Sequence, residues 1–420
     1  MPIDLGDVSI FENIQIALAI VYKSAFVWLS IVTAIACFKM WVNYRRETYW
    51  AGMGSLLLEV KLPKEIFKSP AAMEVVLGAL HQTADEGNWY WKYWRGQTRS
   101  WFSLELVSES GNIRFFIWTR KKYKNSIESH LYSQYPGVEV YETEDYTKDV
   151  HFDPAKYSVF GCQWKLSEPD PLPIKTYVDY GLDKDPDEEF KVDPLATSLE
   201  FLSTVTKGHT IWIQIIIRAH KKERVRRFFR NKKGEFKFSE TYDDWKEEAK
   251  KQVDEIIAKL KTAKESGFPR IPTKGEAERI AAIERSVSKI GFDTTIRSIY
   301  FADKDIYNGM YIAGLFGYFK QYASAELNGF SATGWYASFS NPVYDWWKSK
   351  KNLPRRLFEE YKLRRFFFSP YRGKWFYSKP FILNSEELAT IYHYPGLIAT
   401  APTLKRIPSK KSEAPSNLPV

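Results

Sequence analysis

The chain has 420 residues, 61 Lys and Arg against 51 Asp and Glu, a net charge of +10 and a pI near 9.1. Its 16% aromatic content, with 15 Trp, excludes a disordered polar chain. Two cysteines, Cys37 and Cys162, exclude a disulfide framework and suit a reducing compartment. The basic excess suits an anionic partner, nucleic acid or an inner-leaflet surface, without choosing between them.

Residues 16–38 form an apolar run broken only by Lys23. As a helix, a run of that length reaches across a hydrocarbon core of about 30 Å. Lys23 can carry its ammonium back to the head groups, and a frame of 24–40 avoids it. Tyr22, Trp28 and Trp41 are available as interfacial anchors. A buried soluble helix is the plainer alternative, and a signal peptide lacks its basic leader. Asp4, Asp7 and Glu12 precede the run, whereas Lys39, Arg45, Arg46, Lys61 and Lys64 follow it. The bias places residues 1–15 outside, the transmembrane segment at 16–42, and the body in the cytoplasm at an inner membrane.

Residues 51–420 exceed one small domain. After a polar, aromatic neck at 43–50, the pattern predicts a strand at 55–62 and a helix at 71–82 entered through Ser69-Pro70. Strands follow at 101–107 and 113–119, joined by a hairpin loop containing Gly111. A helix at 122–134 and a strand at 138–141 close a β-α-β-β-α-β unit over 51–150, the ferredoxin-like order. A second unit over 151–380 repeats it: strand 173–180, helix from Asp193-Pro194 to Thr206, strand 210–219, strand 294–302 and helix 306–321. A helical hairpin, 242–266 and 273–290, is inserted within 240–290. Residues 306–319 are uncharged, which leaves a short second span as an alternative to a core helix. Residues 329–346 read as an aromatic loop. Residues 381–393 read as a helix capped by Asn384 or Ser385, and 399–420 as an extended Pro/Ser/Lys tail, so that 381–420 forms the last segment. The predicted fold is α+β: one N-terminal transmembrane helix, then two ferredoxin-like units, the second carrying a helical-hairpin insertion.

No phosphate loop or nucleophile elbow occurs in the sequence, and the six histidines lack metal-ligand spacing. The acidic stretch 183–189 departs from a calcium loop at Glu188 and Pro194, and an exposed acidic loop is expected. No catalytic residue, metal site or cofactor is expected. Two basic and aromatic segments stand out. Residues 218–237 include Lys221, Lys222, Arg224, Arg226, Arg227 and Arg230, and residues 348–379 include Lys350, Lys351, Arg355, Arg356, Arg364 and Arg365. Such segments suit single-stranded nucleic acid or an anionic membrane, or form a charged face whose aromatics belong to the core.

The stretches LLEVKLPKEIFKS (57–69), PIKTYVDYGLDKDPDEEFKV (173–192) and the region 381–419 resemble the membrane-anchored region ahead of conjugation-type pump ATPases (FtsK–HerA-like, type IV secretion) in some small-genome bacteria. The likeness covers nearly all of 10–420, and residues 383–395 are similar to the stretch that precedes the motor domain there. The motor domain has no counterpart in this sequence, so no catalytic residue carries over. The resemblance implies a non-enzymatic, single-pass membrane scaffold docking a separately encoded P-loop ATPase through Glu386, Glu387, His393, Pro395 and the tail. DNA and a second copy of the chain are further expected partners. The alternative is a membrane-anchored nucleic-acid-binding protein using 218–237 and 348–379.

Overall fold

A computed structural model describes residues 13–15, 18–19, 21–63, 68–151, 153, 155–183, 193–225, 229–230, 236–237, 240–265, 272–337, 353–368 and 379–395. The chain divides into two compact units, residues 1–53 with 85–98, and residues 54–84 with 99–420.

The first unit is built on α1, Ala25–Met53. Among the described residues it is the one helix long and apolar enough to cross a membrane. Its 29 residues span about 43 Å at helical rise. Helical residues 18–19 and 21–23 and a turn at Ser24 precede it, and it runs on through the expected neck at 43–50, where the sequence has no proline or glycine before Gly52 to stop it. Ser30 donates its hydroxyl to the Phe26 carbonyl at 2.6 Å, and the Trp28 indole donates to the Val21 carbonyl at 2.9 Å. Polar side chains on an apolar helix thereby find backbone partners in the helix or just ahead of it. Residues 85–98, including the short helix α3 (Trp89–Tyr93), fold onto the later part of α1. The Trp50 indole donates to Thr98 Oγ1 at 2.9 Å, and Arg45 Nε donates to the Trp94 carbonyl at 2.8 Å. Gly96 makes the approach possible: its φ is +70°, and a Cβ there would lie 2.4 Å from the Arg45 backbone. Gly96→Val is expected to free this loop, since the left-handed backbone alone costs about 1–2 kcal/mol before the overlap is added. Limited chymotrypsin digestion of the full chain in detergent should then cut faster within 85–98, while unchanged cleavage would contradict the packing.

The second unit is a nine-stranded sheet, ordered β12-β5-β11-β6-β2-β3-β1-β4 with β13 also on β11. The strands are β1 (Ser55–Lys61), β2 (Trp101–Glu109), β3 (Asn112–Arg120), β4 (Glu139–Thr143), β5 (Tyr157–Leu166) and β6 (His209–Ala219). After the short strands β7 (Glu223–Val225), β8 (Phe229–Arg230), β9 (Phe236–Lys237) and β10 (Glu240–Tyr242) come β11 (Gly291–Asp303), β12 (Phe330–Ala337) and β13 (Phe381–Asn384). The expected α+β class stands, and the sheet is continuous and larger than two small ferredoxin-like units. Its halves join where β2 and β6, each of which would otherwise be an open edge, pair antiparallel from Trp101↔Arg218 to Glu109↔Thr210.

Within each half the connections follow one pattern. β1 and β2 both run antiparallel to β3, so they are parallel to each other with β3 between them, and helix α2 (Ala71–Leu80) links them. β3 and β4 flank β1 in the same way, linked by α4 (Lys124–Gln134). The second half repeats this with β5 and β6 about β11, and β11 and β12 about β5. Its links are α5 (Pro194–Ser203) and α8 (Met310–Lys320). The Ser110-Gly111 turn between β2 and β3 has positive φ at both residues, as a tight hairpin with right-handed strand twist requires.

One face of the sheet carries the main core. Leu58, Leu104, Ile117, Ile213, Ile215, Ile296 and Trp164 meet Leu77, Leu131, Leu199 and Phe319 from the four linking helices. The expected hairpin is α6 (Asp244–Glu265) and α7 (Lys274–Ser288), whose Ala249 and Ile283 close on Leu172. Thr273 and Glu276 form a capping box at the start of α7. The last described elements are α9 (Leu353–Leu363) and α10 (Ser385–Ile391), and α10 packs between α2 and α5.

Three expectations are corrected here. Residues 173–180 turn instead of forming a strand: Ile174 and Tyr177 give their backbone N–H groups to the side chains of Glu387 and Thr390. The strand of the second half is β5. Residues 330–337, expected as loop, form edge strand β12, and 381–384, expected as helix, form β13. The helix expected at 306–321 is present as the 11-residue α8, too short to span a bilayer. The loops at 184–190 and 267–270 and the tail 399–420 lie outside the described residues.

Candidate functional site

The second face of the sheet carries charge. Four neighbouring strands each place a charged or amide side chain at the same level, and the register sets these in one transverse row. Glu105 pairs with Gln214, Gln214 with Arg297, and Arg297 with Gln163. The end of α9 and residues 364–368 cover this row.

Arg364, only 1% exposed, is its centre. Its Nε donates to Glu105 Oε1 at 2.7 Å and its Nη2 to Glu105 Oε2 at 3.0 Å, while Nη1 reaches Asp145 Oδ2 at 2.6 Å. Burial opposes its charge, but the Glu105 charge and the Asp145 hydrogen bond outweigh that and hold its proton more firmly than usual. For Asp145, burial pushes the carboxyl up and the Arg364 guanidinium brings it below the usual carboxylate range. The Tyr146 hydroxyl donates to Glu105 Oε2 at 2.8 Å and lies 3.0 Å from the Tyr361 hydroxyl, and Ser103 donates to Glu105 Oε1 at 2.6 Å.

The same row caps a helix. The last carbonyls of a helix have no partner inside it. Here Arg297 Nη1 donates to the Glu360 carbonyl at 3.0 Å and Gln214 Nε2 to the Tyr361 carbonyl at 3.1 Å. Arg297 Nη2 reaches the Arg365 carbonyl at 2.8 Å, and the Trp101 indole reaches that of Arg364 at 2.6 Å. Cations at this end also complement the helix dipole. Burial lowers the Arg297 pKa to about 10, which still leaves it charged at neutral pH. Arg364 has φ +50°, the left-handed turn usual just beyond a helix C-terminus, held here by ion pairs where glycine is the common choice.

A second cluster lies where β6 ends and β11 begins. Asp293 receives Arg218 Nε at 3.0 Å and His220 Nδ1 at 2.7 Å, with Arg99 3.7 Å away. Asp243 stands 3.5 Å from His220 Nε2 and Lys222 3.9 Å from Asp243. Burial lowers the His220 pKa, but the hydrogen bond and charge of Asp293, together with Asp243, outweigh it and the net direction is up. For Asp293, burial raises the pKa and His220 with Arg218 and Arg99 brings it below the ordinary value. A raised imidazole pKa stabilises the fold below the unfolded value near 6.5, and that contribution disappears as pH rises through the folded value. The Asp293 contribution has the opposite sense, present above about pH 4 and lost on acidification. The urea midpoint of the full chain is therefore expected to fall from pH 6 to pH 8, and less steeply in His220→Gln. An equal slope in both proteins would contradict this.

The structure also locates the expected docking residues. Glu386, Glu387 and His393 are buried, as is Pro395. Glu387 completes a capping box with Asn384 and also accepts the Ile174 N–H at 3.0 Å. Burial pushes its carboxyl up to about 8, against the pull of those backbone donors. Glu386 takes Thr176 at 2.6 Å, with Arg285 and Lys289 beside it. His393 Nε2 lies 3.2 Å from Asp193, the N-cap of α5. Glu386, Glu387 and His393 thus have their partners within the domain.

Of the basic candidates, Arg364 is likewise internal, with Glu105 and Asp145 as its partners. Arg365 is half-buried. Lys221 and Lys222 are exposed, and exposed Arg355 pairs with Glu359 at 3.0 Å. Arg224 and Arg230 lie in β7 and β8, and Arg356 in α9. Arg226, Arg227, Lys350 and Lys351 fall outside the described residues. Sequence reasoning missed Glu105, Asp145, Gln214 and Arg297. For Glu105, Gln214 and Arg297 the available signal was one charged or amide side chain within each of three strongly apolar stretches, WFSLELV, TIWIQIII and TTIRSIYFA; Asp145, outside the strands, carried no such signal. Among the described residues no group of three His, Cys, Asp or Glu is arranged to hold a metal.

A family described as domain of unknown function (DUF8128) matches residues 51–402, and no curated protein matches the chain. The matched span begins at Ala51, in the last turn of α1, and takes in the whole sheet.

Proposed function

The chain belongs to the DUF8128 family, and from that premise we propose that it is a non-enzymatic membrane scaffold. It crosses an inner membrane once, with its N-terminal side outside and the sheet in the cytoplasm. Its body is a tandem of two ferredoxin-like units, and its work is to dock a separately encoded ATPase of a secretion or DNA-transfer system. The observation that carries this reading is α1, whose Phe26, Val27, Leu29, Ile31, Val32 and Ile35 all stand exposed. Such a surface belongs in lipid. The cationic residues on its later side, Lys39, Arg45 and Arg46, favour the cytoplasm there. The tandem is supported by the repeated strand order of the two halves. A scaffold role is supported by the commitment of Glu105, Arg364, Arg297 and Glu387 to internal partners. The ATPase follows from the resemblance described above.

The test is isolation of the full-length protein in mild detergent beside a version ending at Ile398. A P-loop ATPase recovered with the full chain and lost with the tail is the expected result. Salt-sensitive nucleic acid without an ATPase would replace this reading by the nucleic-acid-binding one. Recovery of neither would overturn it.

A further inference from the structure

The loop 85–98 carries Trp89, Tyr90, Trp91, Tyr93 and Trp94 within six positions. Trp89 is 63% exposed, and Tyr90, Trp91 and Trp94 are also exposed. Among the described residues, the exposed tryptophans are Trp28, Trp41, Trp89, Trp91 and Trp94, all in the helical unit, whereas Trp101, Trp164 and Trp212 are buried in the sheet. The loop aromatics join those of α1 into one surface. Tyr93 lies 5.9 Å from Phe38 and Trp94 6.1 Å from Trp41, while Trp89 reaches both Tyr93 and Trp94 at 6.3 Å.

The level along the helix identifies what covers this surface. Twenty residues from Ala25 extend about 30 Å, the thickness of a hydrocarbon core, and end at Tyr44. The loop therefore meets α1 where the span leaves the hydrocarbon. Trp and Tyr are favoured at that depth because their rings are apolar and their N–H and O–H groups reach water. Cations sit among the rings: Arg45 lies 5.7 Å from the Trp41 ring and Arg95 5.7 Å from the Trp91 ring. Lipid phosphates complement them.

We propose that residues 85–98 form an interfacial foot, which seats Trp89, Tyr90, Trp91 and Trp94 in the head-group region of the bilayer that α1 crosses. The proposal rests on the reading of α1 as a membrane span. The foot adds a second, sequence-distant anchor at the cytoplasmic end of the helix and opposes its rotation and tilt. Gly96 and the Arg45–Trp94 hydrogen bond hold it at that height.

The test uses the full chain with Cys37→Ser, leaving buried Cys162 in place, and a polarity-sensitive fluorophore on Tyr90→Cys, Trp89→Cys or, as reference, Val32→Cys. The proteins are reconstituted in phosphatidylcholine–phosphatidylglycerol vesicles. The expected result is blue-shifted emission at 89 and 90, quenched by lipids spin-labelled near the head group and little by aqueous iodide, with Val32 quenched by deep labels. Water-like emission and strong iodide quenching at both 89 and 90, with Val32 still in lipid, overturns the foot and leaves the span standing. Water-like emission at all three positions overturns both.

Discussion

Replacing Arg364 with leucine is expected to destabilise the protein by about 3–5 kcal/mol, the scale for removing one partner of a buried ion pair. That is a large share of a typical domain's stability. The loss comes from what is left behind. Glu105 is fully buried between β3 and β6 and would keep only Ser103, Tyr146 and Gln214 as donors against its charge. Asp145, whose side chain is partly exposed, suffers less because water reaches it. Replacing Glu105 and Arg364 together with leucine should recover much of the loss, since no isolated charge then remains. Arg364→Lys should fall between, because one ammonium cannot satisfy both oxygens of Glu105 and also reach Asp145. Urea unfolding of the full chain in detergent, followed by tryptophan fluorescence, measures all three. A single Arg364→Leu variant with an unchanged midpoint would show that the network does not hold the fold.

Trp212→Ala is expected to cost a similar amount, about 3–5 kcal/mol, by a different route. The indole fills the space between β6 and α9. It stacks on Tyr361 at 5.1 Å and presents edges to Phe301 at 5.0 Å, Tyr146 at 5.3 Å and Phe358 at 5.8 Å. Truncation leaves a cavity walled by rings that are themselves fixed by the neighbouring hydrogen bonds, so collapse is limited. Trp89→Ala, at an exposed position, should shift the urea midpoint by less than about 0.5 kcal/mol equivalent. Equal effects at 212 and 89 would contradict the assignment of one ring to the core and the other to the surface.

The residues explain how far this fold is legible in the chain. The strands β1, β2, β3, β6 and β11 announce themselves by alternating or continuous apolar runs, and α5, α7 and α10 by Asp193, Thr273 and Asn384 at their caps. β5 does not, because Gly161 and Gln163 break its pattern for tertiary reasons. A Cβ at 161 would lie 2.1 Å from Leu357 of α9, and Gln163 belongs to the polar row. The joining of the two halves was hidden as well, since pairing of β2 with β6 depends on two strands 100 residues apart. Charge misled most. Arg364 in a basic, aromatic segment reads like a phosphate ligand, and only its position against Glu105 reveals an internal ion pair. Glu386 and Glu387 read as first-turn acids and docking candidates, and in the fold they hold Ile174, Thr176 and Arg285 to α10.

The measurement that tests the central claim most directly is protease protection in sealed membrane vesicles of known orientation, carrying the full chain with an epitope before residue 13. In vesicles that expose the cytoplasmic face, protease should remove the sheet and leave the epitope protected with α1. In the opposite orientation the epitope should be lost and the sheet protected. A sheet that is released intact by alkaline carbonate, or that is protected in vesicles exposing the cytoplasmic face, would contradict a single-span scaffold with a cytoplasmic body.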